Sequence, residues 1–333
     1  MSSFHVFVTA KLVPSVAISR LVAEGYSVDV YDSEEASTEE ELCLRIKNAD
    51  ALFCIAPDKI TEKVIDSGKK LKVVATMSSG TDHIDKKALK ERNILLGHTP
   101  RVLSTACAEL IICLTLMTMR KTLEGAAAVR NGQWPTIWLP LWNCGATIEG
   151  SRIGLLGFGD IGQAVAKRLK PFSPAKVLYN CPNKKDSDIE QQLGVEWCKN
   201  LDDMLKDVDV LIVCCALNSE TRLILSEQKL LSMKKGSYLI NASRGAVMDQ
   251  DALVKVLQSG HFAGVGLDVT TPEPLPIDHP LLNFPEVTIL PHIASAAISA
   301  RMAMATMTSD NIIAAFKNQT MPGEFNLQRI YNL

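Results

Sequence analysis

The sequence predicts an α/β protein with two domains, each built around a parallel β-sheet. Short apolar runs alternate with polar, helix-like segments over two separate stretches, a pattern typical of parallel α/β units. The second stretch opens with a glycine-rich turn between an apolar strand and a helix. At 333 residues the chain is also long for one hydrophobic core, so two domains are the expected organisation.

The composition argues against several other classes of protein. The chain is 47% hydrophobic and 22% charged, with a formal net charge of −2, which indicates a globular protein without a large basic field. We therefore expect no nucleic-acid partner and no membrane partner. The start MSSFHVFVTAKL does not resemble a secretory signal, and no run approaches the ~20 apolar residues that span a bilayer. A cytoplasmic protein is expected, with its nine cysteines reduced and no metal site.

The first α/β stretch runs from residue 5 to about residue 100. Five short apolar runs in it are predicted as strands: HVFVTA, YSVDVYD, ADALFCI, LKVVATM and NILLGH. The second stretch begins at RIGLLG, and its further predicted strands are AKVLYN, VDVLIVCCAL, GSYLINA, AGVGLDV and VTILP.

Two long apolar segments are predicted as largely buried helices. VLSTACAELIICLTLMTMRKTLEGAAAV is too long for a strand and has no Pro or Gly before Gly125, so it is predicted as one helix. A loop rich in Trp and Pro, NGQWPTIWLPLWNCGATIEG, follows it. The second long helix is ASAAISARMAMATMTSDNIIAAFKN, whose methionines are interpreted as core packing.

The glycine-rich turn GFGDIG predicts a dinucleotide site. Gly157 permits a tight turn, Gly159 lets the backbone approach a pyrophosphate, and Gly162 lets the helix pack closely on the strand. Asp160 and Ile161 complete the turn at the helix N-terminus, where backbone N–H groups and the helix dipole favour phosphates. A plain βα turn and an S-adenosylmethionine site are the alternatives.

The strand after this helix lacks the expected acidic residue. Asn180 lies 23 residues after Gly157 (180 − 157 = 23), near the position where an Asp or Glu binds the adenine-ribose 2′-hydroxyl. Asn183, Lys184 and Lys185 follow instead, and two cations favour a 2′-phosphate. NADPH is therefore the predicted cofactor. The alternative is NADH, with Asn180 at the ribose and the lysines merely solvated.

Three later strands each end in a residue with catalytic chemistry. Arg244 follows GSYLIN, Asp268 and Glu273 follow AGVGLDV, and His292 follows VTILP. Ligands of open α/β sheets lie outside the carboxyl ends of the strands, so these side chains are predicted to converge.

These residue types suit the reduction of a 2-keto acid. Arg244 offers a permanently charged, forked donor to the carboxylate and the keto oxygen. His292 can protonate the developing alkoxide, and Glu273 can fix its ring and favour the protonated form. Asp268 is predicted to hold the nicotinamide carboxamide or a water near it. Taken alone, Arg244 is equally well explained as a surface ion-pair residue, and Glu273, between two prolines, as part of a rigid exposed turn.

Four segments resemble the D-2-hydroxyacid dehydrogenase family: GFGDIGQAVAKRL, INASRGAVMDQDAL, GVGLDVTTPEPLPIDHPLL and ILPHIASA. The resemblance covers nearly the whole chain. LDVTTPEPLP, WLPLWNCG and LYNCPNKK are most similar to members that reduce hydroxypyruvate and glyoxylate.

This resemblance implies a fold of two Rossmann-like or flavodoxin-like domains with parallel sheets. Residues 1–105 would begin the substrate-binding domain, 106–291 would form the inserted coenzyme domain, and 292–333 would complete the substrate domain. It also implies the triad Arg244, Glu273 and His292, and a homodimer that pairs through coenzyme domains. Trp138 and Trp142 would then lie at the dimer interface, with core anchoring as their alternative role.

The resemblance further implies several binding residues. The backbone amides of Ser79 and Gly80 would hold the substrate carboxylate with Arg244, and Ser295 would also contact the substrate. Ala216, Ala242 and Ala294 would lie beside the cofactor, where Ala294 adds a methyl group near the nicotinamide. Ser104-Thr105 and Ala294 through Ala297 depart from the family pattern, which leaves the substrate preference open.

Three other functions remain possible from the sequence. Phosphoglycerate dehydrogenase shares the core but often carries an extra regulatory domain. An NAD(H)-sensing corepressor shares the fold and the triad but acts by binding partners. A catalytically weak homologue with a changed pocket is the third.

Overall fold

Strand pairing divides the chain into two units in the computed structural model, which describes residues 4–33 and 35–328. The first unit takes residues up to Leu103 and from Ala296 onward, and the second takes Ser104–Ser295. The strands are β1 His5–Val8, β2 Ser27–Val30, β3 Ala51–Cys54, β4 Val73–Thr76, β5 Leu95–Gly97, β6 Arg152–Leu156, β7 Lys176–Asn180, β8 Glu196–Trp197, β9 Val210–Val213, β10 Tyr238–Asn241, β11 Gly264–Leu267 and β12 Val287–Ile289. The α-helices are α1 Ser15–Ala23, α2 Glu39–Arg45, α3 Glu62–Ser67, α4 Lys86–Glu91, α5 Ser104–Met119, α6 Thr122–Arg130, α7 Asp160–Leu169, α8 Ser187–Leu193, α9 Leu201–Asp207, α10 Glu227–Ser232, α11 Gln250–Gln258 and α12 Ile298–Phe316.

The first unit has a five-stranded parallel sheet in the order β2-β1-β3-β4-β5. This is the flavodoxin-like order. Strands β3 and β4 are buried along their whole length, as expected of parallel strands covered on both faces. Helices α2, α3 and α4 pack under one face, while α12 packs on β3, β4 and β5 beside α1.

The second unit has a seven-stranded parallel sheet in the order β12-β11-β10-β9-β6-β7-β8. Counted from β6, this is the Rossmann order 3-2-1-4-5-6 with one strand added. The strand order reverses between β6 and β9, so the crevice for a ligand is expected at their carboxyl ends. Together the two sheets confirm the predicted fold class.

Two apolar layers sandwich the second sheet. One face packs against α5 and α7, and the other packs against α9, α10 and α11. The side chains of β6 alternate between the layers, with Ile153 and Leu155 on the α5 side and Leu156 on the α9 side. This burial holds the carboxyl edge of the sheet rigid beneath the loops that follow each strand.

The predicted single helix of residues 102–129 is wrong, because the structure has two helices there. α5 ends at Met119, Lys121 adopts a left-handed φ of 50°, and α6 begins at Thr122. The N–H of Ala146 donates to the Met119 carbonyl at 2.9 Å, and Gly145 lies against that same carbonyl. The returning loop thus satisfies the end of α5 and takes the space of a straight continuation.

Two smaller points also differ from the prediction. Strand β8 was missed, because two residues are too short for a periodic pattern. Met304 is buried as expected, but Met302 is 40% exposed and so is not a core residue. Among the described residues no helix combines the length and apolar character needed to cross a bilayer.

Candidate active site

The glycine-rich turn lies between β6 and α7, at the carboxyl edge of the second sheet. Gly157 has a φ of +97°, and a Cβ there would lie 2.5 Å from the backbone of Cys215, two residues after the end of β9. A Cβ on Gly162 would lie 2.5 Å from the Gly157 carbonyl oxygen. These two glycines therefore close the turn and dock the helix on the strand.

The third glycine of the turn leaves room for a ligand. A Cβ on Gly159 would meet no heavy atom within 4 Å, and no side chain caps the N-terminus of α7, which starts at Asp160 and Ile161. An open helix N-terminus beside free space suits a pyrophosphate. The turn therefore fits a dinucleotide on the structure's own geometry.

An acidic residue of α8 contacts the end of β7, and the sequence pattern did not reveal it. Glu190 of α8 accepts a hydrogen bond from the Tyr179 hydroxyl at 2.7 Å and pairs with Lys184 at 3.4 Å. The Tyr179 hydroxyl also accepts from the Lys185 N–H at 2.9 Å, which ties the loop to the strand. The Asn180 side-chain amide donates to the carbonyls of residues 198 and 199, so it holds the segment that directly follows β8.

The contacts of Glu190 determine the charges near the loop that follows β7. The Tyr179 hydroxyl and Lys184 lower the pKa of Glu190, against the opposing effect of burial. Glu190 is therefore a carboxylate that partly neutralises Lys184. Asn183 is exposed and Lys185 half-buried in the same loop.

Asn241 shapes the turn that carries Arg244. This fully buried side chain accepts from the Ser243 N–H at 3.0 Å and donates to the Arg244 carbonyl at 3.1 Å. Arg244 Nη1 donates to the Ser243 carbonyl at 2.9 Å, and Ala242 precedes the turn. Sequence reasoning missed Asn241, although an Asn at a strand end is a known signal for such a turn.

His292 and Glu273 are joined by a hydrogen bond of 2.8 Å between Nδ1 and Oε2. A carboxylate only accepts, so Nδ1 carries the hydrogen and Nε2 remains to exchange a proton with a substrate. Burial raises the pKa of Glu273, but the hydrogen bond and charge of His292, the Thr270 N–H and Arg244 outweigh it, and the pKa lies below its usual value. Glu273 is therefore ionised near neutral pH.

Asp268 holds the backbone of this histidine. Its carboxylate oxygens accept from the N–H groups of Ile293 and Ala294, each at 2.8 Å, and its carbonyl accepts from the His292 N–H at 2.8 Å. His292 has a left-handed φ of 54°, a conformation that costs of order 1–3 kcal/mol. Burial raises the pKa of Asp268, and the two N–H groups oppose that rise. The predicted contact between Asp268 and the cofactor stays a prediction.

The remaining predicted residues also lie at strand ends. Ala216 follows β9 and is exposed, while Ala294 and Ser295 follow β12. Ser79 and Gly80 follow β4 in the first unit, where His98 Nδ1 lies 2.9 Å from the Ser79 carbonyl oxygen. Among the described residues no group of three or more His, Cys, Asp or Glu side chains is placed to hold a metal ion.

The second unit thus brings a forked cation, a carboxylate–imidazole pair and a pyrophosphate-type turn to one edge of its sheet. A dinucleotide on that turn would extend along the edge toward β10, β11 and β12. A proton donor beside a dinucleotide that carries a hydride is the combination that a dehydrogenase needs.

Comparison with known proteins agrees with this chemistry. The family model "D-isomer specific 2-hydroxyacid dehydrogenase, NAD binding domain" matches residues 112–294. A glyoxylate reductase of Thermofilum pendens is 40% identical, over 98% of this chain and 95% of its own. The human glyoxylate reductase/hydroxypyruvate reductase is 37% identical, over 97% of this chain and 98% of its own.

A solved structure resembles the whole chain. The NADPH-dependent glyoxylate/hydroxypyruvate reductase of Sinorhizobium meliloti, in complex with NADP and malonate, has a TM-score of 0.86 and 28% identity, and the match covers 98% of both chains. The chain is therefore an NAD(P)-dependent oxidoreductase and belongs to the D-isomer specific 2-hydroxyacid dehydrogenase family.

Proposed function

We propose that the protein is an NADPH-preferring reductase of small 2-keto acids, which converts hydroxypyruvate to D-glycerate and glyoxylate to glycolate. The observation that carries this proposal is the 2.8 Å pair of Glu273 and His292, placed with Arg244 at the ends of neighbouring strands. The glyoxylate and hydroxypyruvate reductases to which the chain is similar support the choice of substrate.

Each residue of the triad has one task in this mechanism. Arg244 binds the substrate and polarises its keto oxygen with its planar, forked guanidinium group. NADPH, when bound, supplies the hydride to the carbonyl carbon. His292 delivers the proton from Nε2 to the oxygen as the C=O bond becomes C–OH, and Glu273 keeps Nε2 directed outward through its bond to Nδ1.

Other residues are proposed as binding contacts. The backbone N–H groups of Ser79 and Gly80 would donate to the substrate carboxylate, and Ser295 would contact the substrate beside His292. Ala216, Ala242, Asp268 and Ala294 would line the cofactor at the ends of β9 to β12.

The preference for NADPH rests on the loop after β7. Strand β7 ends in Asn180 instead of a carboxylate that would repel a 2′-phosphate, and Lys185 in the following loop offers a cation to that phosphate. The reductase of S. meliloti was solved with NADP. Lys184 contributes less, because Glu190 pairs with it at 3.4 Å.

Initial rates with NADPH and NADH, each with hydroxypyruvate and then glyoxylate, test the proposal. A much larger kcat/KM with NADPH supports it, and Lys185→Ala should then raise KM for NADPH while leaving KM for NADH unchanged. A preference for NADH would leave the reductase standing but would contradict the role of the loop. Absence of turnover with every pair would favour a binding protein of the same fold.

A homodimer is proposed as the working form. We call the exposed apolar side chains between Leu123 and Trp142 the Trp face: Leu123, Val129, Trp134, Ile137, Trp138, Leu139, Leu141 and Trp142. Trp138 is 86% exposed, so it does not serve as a core anchor. So much apolar surface in one segment of the second unit is typical of a subunit interface.

A further inference from the structure

Gln250 holds the loop that carries Glu273. Its Oε1 accepts from the Thr271 N–H at 2.9 Å, and its Nε2 donates to the Thr271 carbonyl at 2.6 Å. One side-chain amide thus satisfies both backbone groups of a residue two positions before Glu273. Gln250 is only 8% exposed, so these hydrogen bonds compete little with water.

Gln250 belongs to a helix that is itself held in place by a cap and by apolar packing. It is the first residue of α11, and Asp249 caps that helix by accepting from the Ala252 N–H at 3.0 Å. The apolar face of α11 is buried against the second sheet. His279 Nε2 lies 3.1 Å from Gln250 Nε2, so the side chain is also confined from the far side.

A second contact joins the same two chain segments. A Cβ on Gly245, next to Arg244, would lie 2.1 Å from the Thr270 carbonyl oxygen and 2.5 Å from Thr271 Oγ1. The segment that carries Arg244 therefore lies directly against the segment that carries Glu273. Gly245 contacts that segment at Thr270 and Thr271, and Gln250 binds it at Thr271.

The loop between Thr270 and Glu273 is closed on itself. The Thr270 N–H donates to Glu273 Oε1 at 3.1 Å, and the Thr270 hydroxyl donates to the Pro272 carbonyl at 2.8 Å. The position at which Thr271 is held therefore determines where the Glu273 carboxylate lies relative to His292.

We propose that Gln250 is a positioning residue for the reaction, which acts through Thr271 to keep Glu273 in hydrogen-bonding register with His292. The inference deepens the proposed function, on which its kinetic readout rests. Gln250 orients the base partner of the proton donor and has no direct role in binding substrate or cofactor.

A double-mutant cycle tests this role. Gln250→Leu removes both hydrogen bonds and should lower kcat by about 10- to 100-fold, the scale expected for a misplacement near 1 Å. In a Glu273→Gln background the same change should lower kcat by less than about 2-fold, because the carboxylate that it positions is already gone. KM for NADPH should stay within about 2-fold throughout.

Gln258→Leu is the matched control, since Gln258 is the exposed last residue of the same helix. It should leave kcat unchanged. If the fold decreases in kcat of the two single variants multiply in the double variant, Gln250 acts independently of Glu273, and the proposal is overturned. An unchanged kcat in Gln250→Leu would also overturn it.

Two further measurements keep the test decisive. If Gln250→Leu does not fold, Gln250→Glu replaces it, because this isosteric change keeps the acceptor for the Thr271 N–H and loses the donor to its carbonyl. If the wild-type chain reduces neither keto acid, the proposed function fails, and crystal structures decide the inference alone. A Glu273–His292 distance that stays at 2.8 Å in the Gln250 variant would then contradict it.

Discussion

Neighbouring residues fix the backbone or the loop of each of the three candidate catalytic residues Arg244, Glu273 and His292. Asn241 shapes the turn of Arg244, Thr270 and Gln250 hold the loop of Glu273, and Asp268 holds the backbone of His292. Preorganised groups of this kind stabilise a transition state without reorganising during the reaction. The candidate site therefore depends on the buried polar residues Asn241, Gln250, Asp268 and Thr270.

Of the three residues, Arg244 is the one whose substitution is expected to lower kcat/KM most. Arg244→Ala should lower kcat/KM for hydroxypyruvate by about 10²–10³-fold or more, because the developing alkoxide and the carboxylate lose their charged donor. Arg244→Lys should recover only part of this loss, since an ammonium group cannot reproduce the planar fork. Steady-state kinetics measure both variants, with cofactor binding as the control. Turnover unchanged in Arg244→Ala would contradict the mechanism.

The pair of Glu273 and His292 should also appear in the pH dependence of stability. Because the pKa of Glu273 lies below its usual value in the folded chain, the unfolded chain binds more protons in the interval between the two values. The stabilisation from this carboxylate is therefore complete above about pH 4.5 and is lost as the pH falls through the folded-state value. Its size is modest, since the Glu273 side chain is 38% exposed.

Thermal denaturation of the wild type and Glu273→Gln between pH 3 and pH 7 checks this. The wild type should melt at the higher temperature near neutral pH, and the two curves should converge in acid. A constant difference across the whole range would show that the carboxylate charge does not contribute.

At the scale of single elements, two glycines of the glycine-rich turn are expected to have different roles: Gly162 in the packing of the helix and Gly159 in binding of the cofactor. Gly162→Ala places a methyl 2.5 Å from the Gly157 carbonyl oxygen, so it should lower the melting temperature as well as cofactor affinity. Gly159→Ala meets no atom of the chain within 4 Å, so the fold should remain intact while the methyl occupies space intended for the pyrophosphate.

Melting curves and fluorescence titration with NADPH separate these two effects. The expected result is near-normal stability with weak binding for Gly159→Ala, and losses of both for Gly162→Ala. Tight NADPH binding by Gly159→Ala would show that the dinucleotide does not approach this turn.

The elements that were predicted correctly are those whose structure is determined by the pattern of their own residues. Eleven strands were predicted because buried parallel strands such as VLIV and ALFC consist of continuous apolar residues. The break between α5 and α6 was not predicted, because its cause is the distant Gly145–Ala146 backbone against Met119. The role of Glu190 was missed because the sequence does not show that α8 turns this side chain toward Lys184 and Tyr179.

At the scale of the whole molecule, one topological rule accounts for most of the candidate site. Residues separated by more than a hundred positions, such as Gly157 and His292, belong to loops at the carboxyl edge of one sheet because every strand of that sheet is parallel. Sequence reasoning could therefore predict which side chains lie at the ends of these strands as candidates for catalysis. It could not name Gln250, because this buried amide acquires its role from Thr271, a partner that only the fold brings to it.

The Trp face leads to the last prediction, which concerns assembly. Trp138 and Leu141 are 86% and 87% exposed, and a specific interface of about 1,200–2,000 Å² would remove such side chains from water. Light scattering should give the wild type twice the 36.4 kDa of one chain. Trp138→Asp combined with Leu141→Asp should give monomers, because two charges would be buried without partners. Leu12→Asp, an equally exposed leucine in the first unit, should remain dimeric. A monomeric wild type, or a double variant that still dimerises, would place the interface elsewhere or exclude it.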